Sequence, residues 1–114
     1  MPYIDSKISV PVSDKQKETL KTELGKIITC IPGKSENFLM VGFQDQYSLF
    51  FKGNALEKGA FVEVKIFGSA PSSSLDEVTD KICTLYENEL GIPGQNIYVK
   101  YEFVSHWGWN HHNF

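Results

Sequence analysis

Hydrophobic positions follow the same plan twice along this chain. Each half starts with an alternating, strand-like segment, continues with apolar positions three or four residues apart, and ends with another strand-like run. In the first half these segments are residues 2–9, the helix face formed by Leu20, Leu24, Ile27, Ile28 and Ile31, and residues 37–43. In the second half they are residues 60–67, the helix face formed by Leu75, Val78, Ile82 and Leu85, and residues 96–103. The pattern predicts two β-α-β units.

Short polar motifs mark where the two helices begin and end. The segments Ser13–Gln16 and Ser74–Glu77 both match the capping box, in which a side-chain oxygen accepts a hydrogen bond from a free backbone N–H. Pro32-Gly33 is expected to end the first helix, and Gly91 the second.

The closing strands of the two units differ in character. Residues 37–43 are almost continuously apolar, which is typical of a buried strand. Residues 96–103 alternate, and one set is predicted to point inward: Ile97, Val99, Tyr101 and Phe103. Between the units, Ser48–Phe51 is interpreted as a short extra strand that extends the sheet of a neighbouring subunit.

The repeated plan predicts an α+β fold. Each β-α-β unit requires a right-handed crossover between parallel strands. The economical arrangement is one four-stranded mixed sheet with both helices on one face and a pseudo-twofold axis between the units. A length of 114 residues favours one domain over residues 1–114. The face without helices carries Phe61, Phe67 and Tyr98, and exposed aromatic surface is typical of association, so we expect an oligomer.

Composition excludes several kinds of function. The net charge is −3 and no run of Lys or Arg occurs, which argues against a nucleic-acid partner. No apolar stretch approaches the roughly 18 residues of a membrane span, so no membrane partner is expected. The first residues lack an apolar signal region, and we expect a cytoplasmic protein, or one secreted without a signal peptide.

Cysteine and histidine residues give no sign of a metal site. Cys30 and Cys83 are far apart in helical patterns and are interpreted as free, buried thiols. His106, His111 and His112 have no Cys or paired carboxylate at ligand spacing beside them. We therefore expect neither a metal nor a cofactor.

Pro2 is the candidate catalytic residue. Removal of the Met before it would leave the ring nitrogen as a free secondary amine. The antiparallel central strands are predicted to place Ile66 and Phe67 beside Pro2, and Lys34 precedes a parallel strand that starts at the same edge. Burial and a nearby cation both favour the neutral amine. A neutral amine with a pKa near the working pH is an efficient general base, and Lys34 can bind a substrate carboxylate.

An ordered set of short motifs runs through nearly the whole chain. The set comprises Met1-Pro2, the duplicated β-α-β plan, Gly33-Lys34 before an apolar strand, Ile97-Tyr98-Val99, and Gly108-Trp109-Asn110 followed by Phe114. It resembles the macrophage migration inhibitory factor family of the tautomerase superfamily. The resemblance implies a homotrimer with active sites between subunits. It also implies a keto–enol tautomerase that acts on a small aromatic α-keto acid such as phenylpyruvate.

The resemblance assigns the reaction chemistry to one end of the first strand. Pro2 would be the general base once Met1 is removed, and Lys34 would hold the substrate carboxylate. The backbone amide of Phe67, which Ile66 precedes, would also contact the substrate.

The resemblance places further substrate-binding residues around this centre. Tyr98 would come from the adjacent subunit, with Lys100 beside it on the same strand face, where mammalian members carry Asn. An aromatic pocket would be lined by Tyr3, Phe38, Trp107, Trp109 and Phe114. Trp107 stands where a small aliphatic residue is usual, so Lys100 and Trp107 are the positions expected to alter substrate preference.

Two other functions are compatible with the same sequence. One is a secreted, cytokine-like signal with a receptor partner and a vestigial or secondary tautomerase activity. The other is a D-dopachrome-type tautomerase, which differs in substrate. The Cys-x-x-Cys motif of the mammalian factor is absent, since neither Cys30 nor Cys83 reproduces it. No thiol-redox activity is therefore expected.

Overall fold

Two β-α-β units build the main sheet. A computed structural model of the chain describes residues 1–114. The helices and strands, in chain order, are β1 (Pro2–Ile8), α1 (Asp14–Ile27), β2 (Met40–Gln44), β3 (Phe50–Phe51), β4 (Asn54–Ala55), β5 (Ala60–Phe67), α2 (Ser72–Leu90), β6 (Ile97–Val104), β7 (Gly108–Trp109) and β8 (His112–Asn113).

The sheet has the predicted mixed topology. Its strand order is β2-β1-β5-β6, in which β1 and β2 are parallel, β5 and β6 are parallel, and the central pair β1 and β5 is antiparallel. One face of β1 and β5 packs with both helices into a single hydrophobic core, so the α+β class is confirmed. No helix combines the length and apolar character that crossing a bilayer requires.

The first helix begins at the predicted capping box. The Ser13 side chain accepts a hydrogen bond from the Gln16 backbone, and the Gln16 side chain accepts one from the Ser13 backbone. The predicted apolar face is buried throughout, and it packs on the sheet: Leu20, Leu24, Ile27, Ile28 and Ile31.

The second helix starts earlier than predicted. Helix α2 begins at Ser72 with Pro71 as its N-cap, and no side chain caps it, so the proposed capping box Ser74–Glu77 is wrong. The Ser74 N–H already donates to the Pro71 carbonyl, which places Ser74 inside the first turn. Pro71 has extended backbone angles and no N–H to lose, and it fixes the start of the helix. The C-terminal end is as predicted, with Gly91 in the left-handed conformation at φ 68°.

The strand predicted at residues 37–43 is shorter and less buried than its apolar sequence indicates. Residues Glu36–Phe38 form a 3₁₀ turn that is closed by the Leu39 N–H and the Glu36 carbonyl, and this delays the strand until Met40. Strand β2 also lies at the edge of the sheet, and Met40 is 70% exposed. The prediction of a buried strand was therefore wrong.

The side chains of β6 that were predicted to point inward are covered only along part of the strand. Ile97 is buried and Val99 and Tyr101 are half-buried, but Phe103 is 44% exposed, which corrects its predicted inward position. The Tyr101 hydroxyl donates to the carbonyl of Leu75 in the first turn of α2. Phe103 lies two residues farther along the strand, past the start of the helix that would cover it.

One polar pair is fully enclosed by this core. The hydroxyl oxygens of Ser6 and Tyr86 share a hydrogen bond of 2.6 Å. Burial raises the pKa of Tyr86 to about 12, because the phenolate anion is costly to form away from water. The pair ties the middle of β1 to the last turns of α2.

We expect Ser6→Ala and Tyr86→Phe each to lower the free energy of unfolding by about 1–3 kcal/mol, because either change leaves one buried hydroxyl without a partner. The double variant removes both hydroxyls and should lose clearly less than the sum of the two single losses. Urea unfolding of the four proteins gives the cycle. Strictly additive losses would show that the two hydroxyls are not coupled.

Candidate functional site

The central strand pair brings Pro2 and Phe67 together. Pro2 is the first residue of β1 and pairs with Ile66 near the end of β5. The Phe67 N–H donates to the carbonyl oxygen of Met1 at 3.1 Å. Gly68 follows with φ 100°, a conformation that favours glycine, and turns the chain away from the strand end.

Lys34 reaches this point from the loop after α1. Gly33 has φ 79°, and the Lys34 N–H donates to the Ile31 carbonyl, which closes a turn before β2. The half-buried Lys34 side chain then donates from Nζ to the Phe67 carbonyl oxygen at 2.9 Å. The predicted convergence of Pro2, Lys34 and the Phe67 backbone is present in the structure.

The amine beside these groups is poised to lose its proton. The pKa of the Met1 α-amine lies below its ordinary value, first because burial disfavours the charged form and then because Lys34 lies close to it. Pro2, one residue along, is buried. A cation next to a partly desolvated amine is an arrangement that generates a neutral base and can also bind an anion.

A cavity of about 530 Å³ opens at this end of the sheet. Five residues predicted for the site line it: Pro2, Tyr3, Phe38, Trp107 and Trp109. The cavity wall is mostly hydrophobic, which suits an aromatic ligand.

The C-terminal hairpin supplies the aromatic side of this cavity. Strands β7 and β8 are joined by Asn110 and His111, both with positive φ, as the tight two-residue hairpin turn requires. Phe114 stacks on Trp109 with ring centroids 6.2 Å apart, and its ring lies 5.8 Å from that of Phe67. Phe114 therefore belongs to the same aromatic cluster without lining the cavity.

Sequence reasoning missed five residues that line the cavity: Met1, Asn37, Leu39, Met40 and Gly108. Met40 pairs with Tyr3 across the parallel strands. The interpretation of residues 37–43 as a buried strand hid this segment, whereas its position directly after Lys34 was a signal that it borders the site.

Ile66 offers only its backbone to this site. Its side chain is fully buried in the core, on the helix side of the sheet. It is thus a neighbour of the site through β5 and not a side-chain contact for a ligand.

Tyr98 lies at the opposite end of the sheet from Pro2. It pairs with Phe61, whereas Pro2 pairs with Ile66, so the two residues are separated by roughly 16 Å along the strands. Tyr98 is 56% exposed and packs edge-on against Phe51 at 5.3 Å. One subunit does not bring Tyr98 to Pro2.

Lys100 forms an ion pair on the open face of the sheet. Its Nζ lies 2.8 Å from a carboxylate oxygen of Glu102, and this hydrogen bond raises the pKa of Lys100. Its neighbours on this face are also paired, since Lys7 lies 3.6 Å from both Asp5 and Glu63. The centre of the open face is therefore charged, and the aromatic residues lie towards its two ends.

The geometry can support proton transfer without a metal ligand set. No group of three His, Cys, Asp or Glu side chains is arranged to hold a metal ion. The groups near this end of the sheet are the Met1 α-amine of lowered pKa, the Lys34 ammonium, the Phe67 N–H and the aromatic wall of the cavity. These are suited to abstract a proton from an anionic aromatic molecule and to return it.

Solved structures share this architecture over its whole length. MIF2 from Leishmania major is 33% identical, with a TM-score of 0.92 over 100% of this chain and 97% of its own. A macrophage migration inhibitory factor homologue from Prochlorococcus marinus is 32% identical, with a TM-score of 0.82 over 98% of both chains. The macrophage migration inhibitory factor-like protein of Entamoeba histolytica is 26% identical, with a TM-score of 0.84 over 99% and 98%.

No protein-family model matches the sequence, and no curated protein sequence does so either. The duplicated β-α-β sheet and the relatives that match it over its whole length define a protein with the fold of macrophage migration inhibitory factor. At 33% identity over its full length, the chain belongs to the macrophage migration inhibitory factor family of the tautomerase superfamily.

Proposed function

We propose that this protein is a keto–enol tautomerase for small aromatic α-keto acids of the phenylpyruvate type. Pro2 is the general base after removal of Met1. The observation that carries the proposal is the convergence of Lys34 and the Phe67 backbone on the start of β1. The Met1 α-amine, one residue away, has a lowered pKa from burial and from Lys34, and the same causes would act on a Pro2 amine.

The proposed reaction moves one proton from carbon to oxygen, and all other atoms of the substrate keep the neighbours to which they are bonded. The neutral Pro2 nitrogen takes a proton from the carbon beside the keto group, and the electron pair of that C–H bond moves into the enolate. The protonated nitrogen then returns a proton to the enolate oxygen. Lys34 holds the carboxylate, and the Phe67 N–H donates to a substrate oxygen. The aromatic walls take the ring, with Phe114 stacked on one of them as support: Tyr3, Phe38, Trp107 and Trp109.

A complete site requires more than one copy of the chain. We assign Tyr98, with Lys100 beside it, to the neighbouring subunit of a homotrimer, and residues 1–114 form the single domain of each subunit. The exposed aromatic residues at both ends of the open sheet face support this arrangement. In a head-to-tail ring, one end of each copy meets the opposite end of the next copy, so both ends of every copy are covered.

Phenylpyruvate tautomerisation tests the proposal. Protein with Met1 removed, as shown by its intact mass, should convert phenylpyruvate between keto and enol forms. Formylation of the Pro2 nitrogen should lower kcat at least about 100-fold, since general bases contribute 100-fold or more. Thermal unfolding of both forms checks that the fold is intact. Equal rates for the free and formylated proteins would contradict a role for Pro2.

A further inference from the structure

The peptide group that joins Met1 to Pro2 belongs to two residues of the cavity wall. Met1 lines the cavity, and its carbonyl oxygen accepts the hydrogen bond from the Phe67 N–H at 3.1 Å. That oxygen is two covalent bonds from the Pro2 nitrogen. A hydrogen-bond acceptor is therefore held directly beside the proposed base.

This donor has no other acceptor in the strand pair. Strand β1 starts at Pro2, and the Met1 carbonyl is the partner of Phe67 at its end. The other side of the Phe67 residue is held by Lys34, which donates to its carbonyl oxygen at 2.9 Å. Phe67 itself does not line the cavity, but its partner Met1 does, so loss of Met1 would leave the N–H free at the edge of the cavity, where an unmet donor is costly unless a ligand or water accepts from it.

We propose that any residue bonded to the Pro2 nitrogen acts as an internal ligand, because its carbonyl oxygen takes the position of a substrate oxygen on the Phe67 N–H. Removal of that residue then does two things: it frees the amine and it empties the binding position. The inference rests on the proposed function for the nature of the ligand. The inference also predicts that the chain with Met1 retained fails to bind the substrate, and does not merely fail to react with it.

Binding of 3-phenylpropanoate separates these effects, because this acid has the ring and the carboxylate but no keto group to react. Four forms are compared: Met1 retained, free Pro2, N-methyl-Pro2 and N-formyl-Pro2. The methyl and formyl groups each add one carbon to the nitrogen, but only the formyl group adds a carbonyl oxygen. Trp107 and Trp109 are the only tryptophans and both line the cavity, so their fluorescence reports binding. Titration at pH 8.5 keeps the free and methylated amines largely neutral.

We expect the free and N-methyl forms to bind the acid at least tenfold more tightly than the N-formyl and Met1-retained forms. Binding of the N-formyl form within twofold of the N-methyl form would overturn the proposal. Equal weakening by both groups would also overturn it, since bulk and not the carbonyl oxygen would then block the site. Absence of binding by every form would do the same.

Turnover of phenylpyruvate by the free form is measured separately. A free form that binds 3-phenylpropanoate but does not turn over phenylpyruvate would contradict the proposed function and leave the internal ligand standing. Amide hydrogen exchange at Phe67 gives a second readout. The N–H should be protected with Met1 retained, exchange faster in the free form, and regain protection when 3-phenylpropanoate is added. Unchanged exchange on removal of Met1 would contradict the proposal.

Discussion

Lys34→Gln is expected to lower kcat/KM for phenylpyruvate about 10- to 100-fold, because it removes the charged donor to the substrate carboxylate and such hydrogen bonds contribute about 1.5–3 kcal/mol. It is also expected to move the acidic limb of the pH–rate profile to higher pH. The measurement is kcat and kcat/KM across the pH range, on protein with Met1 removed.

The direction of the pH shift follows from the position of the Lys34 charge. Burial and Lys34 both lower the pKa of the amine at this point of the structure, and we expect them to act on the Pro2 amine in the same way. The amine works as a base only when neutral, so activity rises with pH through its pKa. Removal of the Lys34 charge raises that pKa, and the rise in activity then begins at higher pH.

Two further variants separate charge from shape. Lys34→Arg keeps the charge and should leave the acidic limb nearly in place, while the different shape of the guanidinium lowers kcat/KM. Lys15→Gln, at an exposed position on α1, removes a charge remote from the site and should change neither quantity. A Lys34→Gln profile with an unmoved limb would show that Lys34 does not set the pKa of the base.

The convergence at Pro2 was predictable because it depends on strand direction. Two similar β-α-β units with antiparallel first strands bring the start of β1 to the end of β5, whatever the length or conformation of the loops. Lys34 could be placed at the same edge because it precedes the strand parallel to β1. These statements need only periodicity and chain order.

The errors arose where local contacts compete with the periodic pattern. The Ser74–Glu77 motif has the spacing of a capping box, but Pro71 starts the helix before it. The apolar run at 37–43 indicated a strand, but a 3₁₀ turn takes its first residues. Phe103 follows the inward alternation of β6, yet no helix covers it at that end. Hydrophobic spacing alone does not show which helix, turn or strand lies beside a given residue.

The Met1 contact was missed for a different reason. The sequence directs attention to the Pro2 amine, and that amine exists only when Met1 is absent. The hydrogen bond from the Phe67 N–H is a property of the chain with Met1 attached. It depends on the exact register of β1 and β5, and hydrophobic alternation leaves a slip of two residues open because such a slip keeps the same face inward.

A mixture of two inactive proteins is expected to recover activity. One protein carries Tyr98→Ala with a free Pro2, and the other carries N-formyl-Pro2 with Tyr98 intact. Each alone should be nearly inactive if Tyr98 of one subunit completes the Pro2 site of the next. After the two are unfolded together and refolded, about a quarter of the wild-type specific activity should return if they form three-membered rings at random.

The expected recovery follows from random pairing of neighbouring subunits, here counted for a trimer. About three quarters of randomly assembled trimers contain both chains, and each of these has one of its three sites built from a free Pro2 and an intact Tyr98. The roughly 16 Å between the two residues within a subunit makes the alternative, a site inside one chain, geometrically remote.

Mixing the two folded proteins without unfolding them is the matched control, and it should give no recovery while the subunits stay in their original rings. Failure to recover after joint refolding, with trimers shown to be present, would mean that Tyr98 does not serve a neighbouring Pro2. Full activity of the Tyr98→Ala protein alone would remove Tyr98 from the site altogether. Recovery near a quarter identifies a site shared between subunits, because at random half of the sites have a free Pro2 and half of those face an intact Tyr98; the number of subunits in the assembly is measured separately, by its mass.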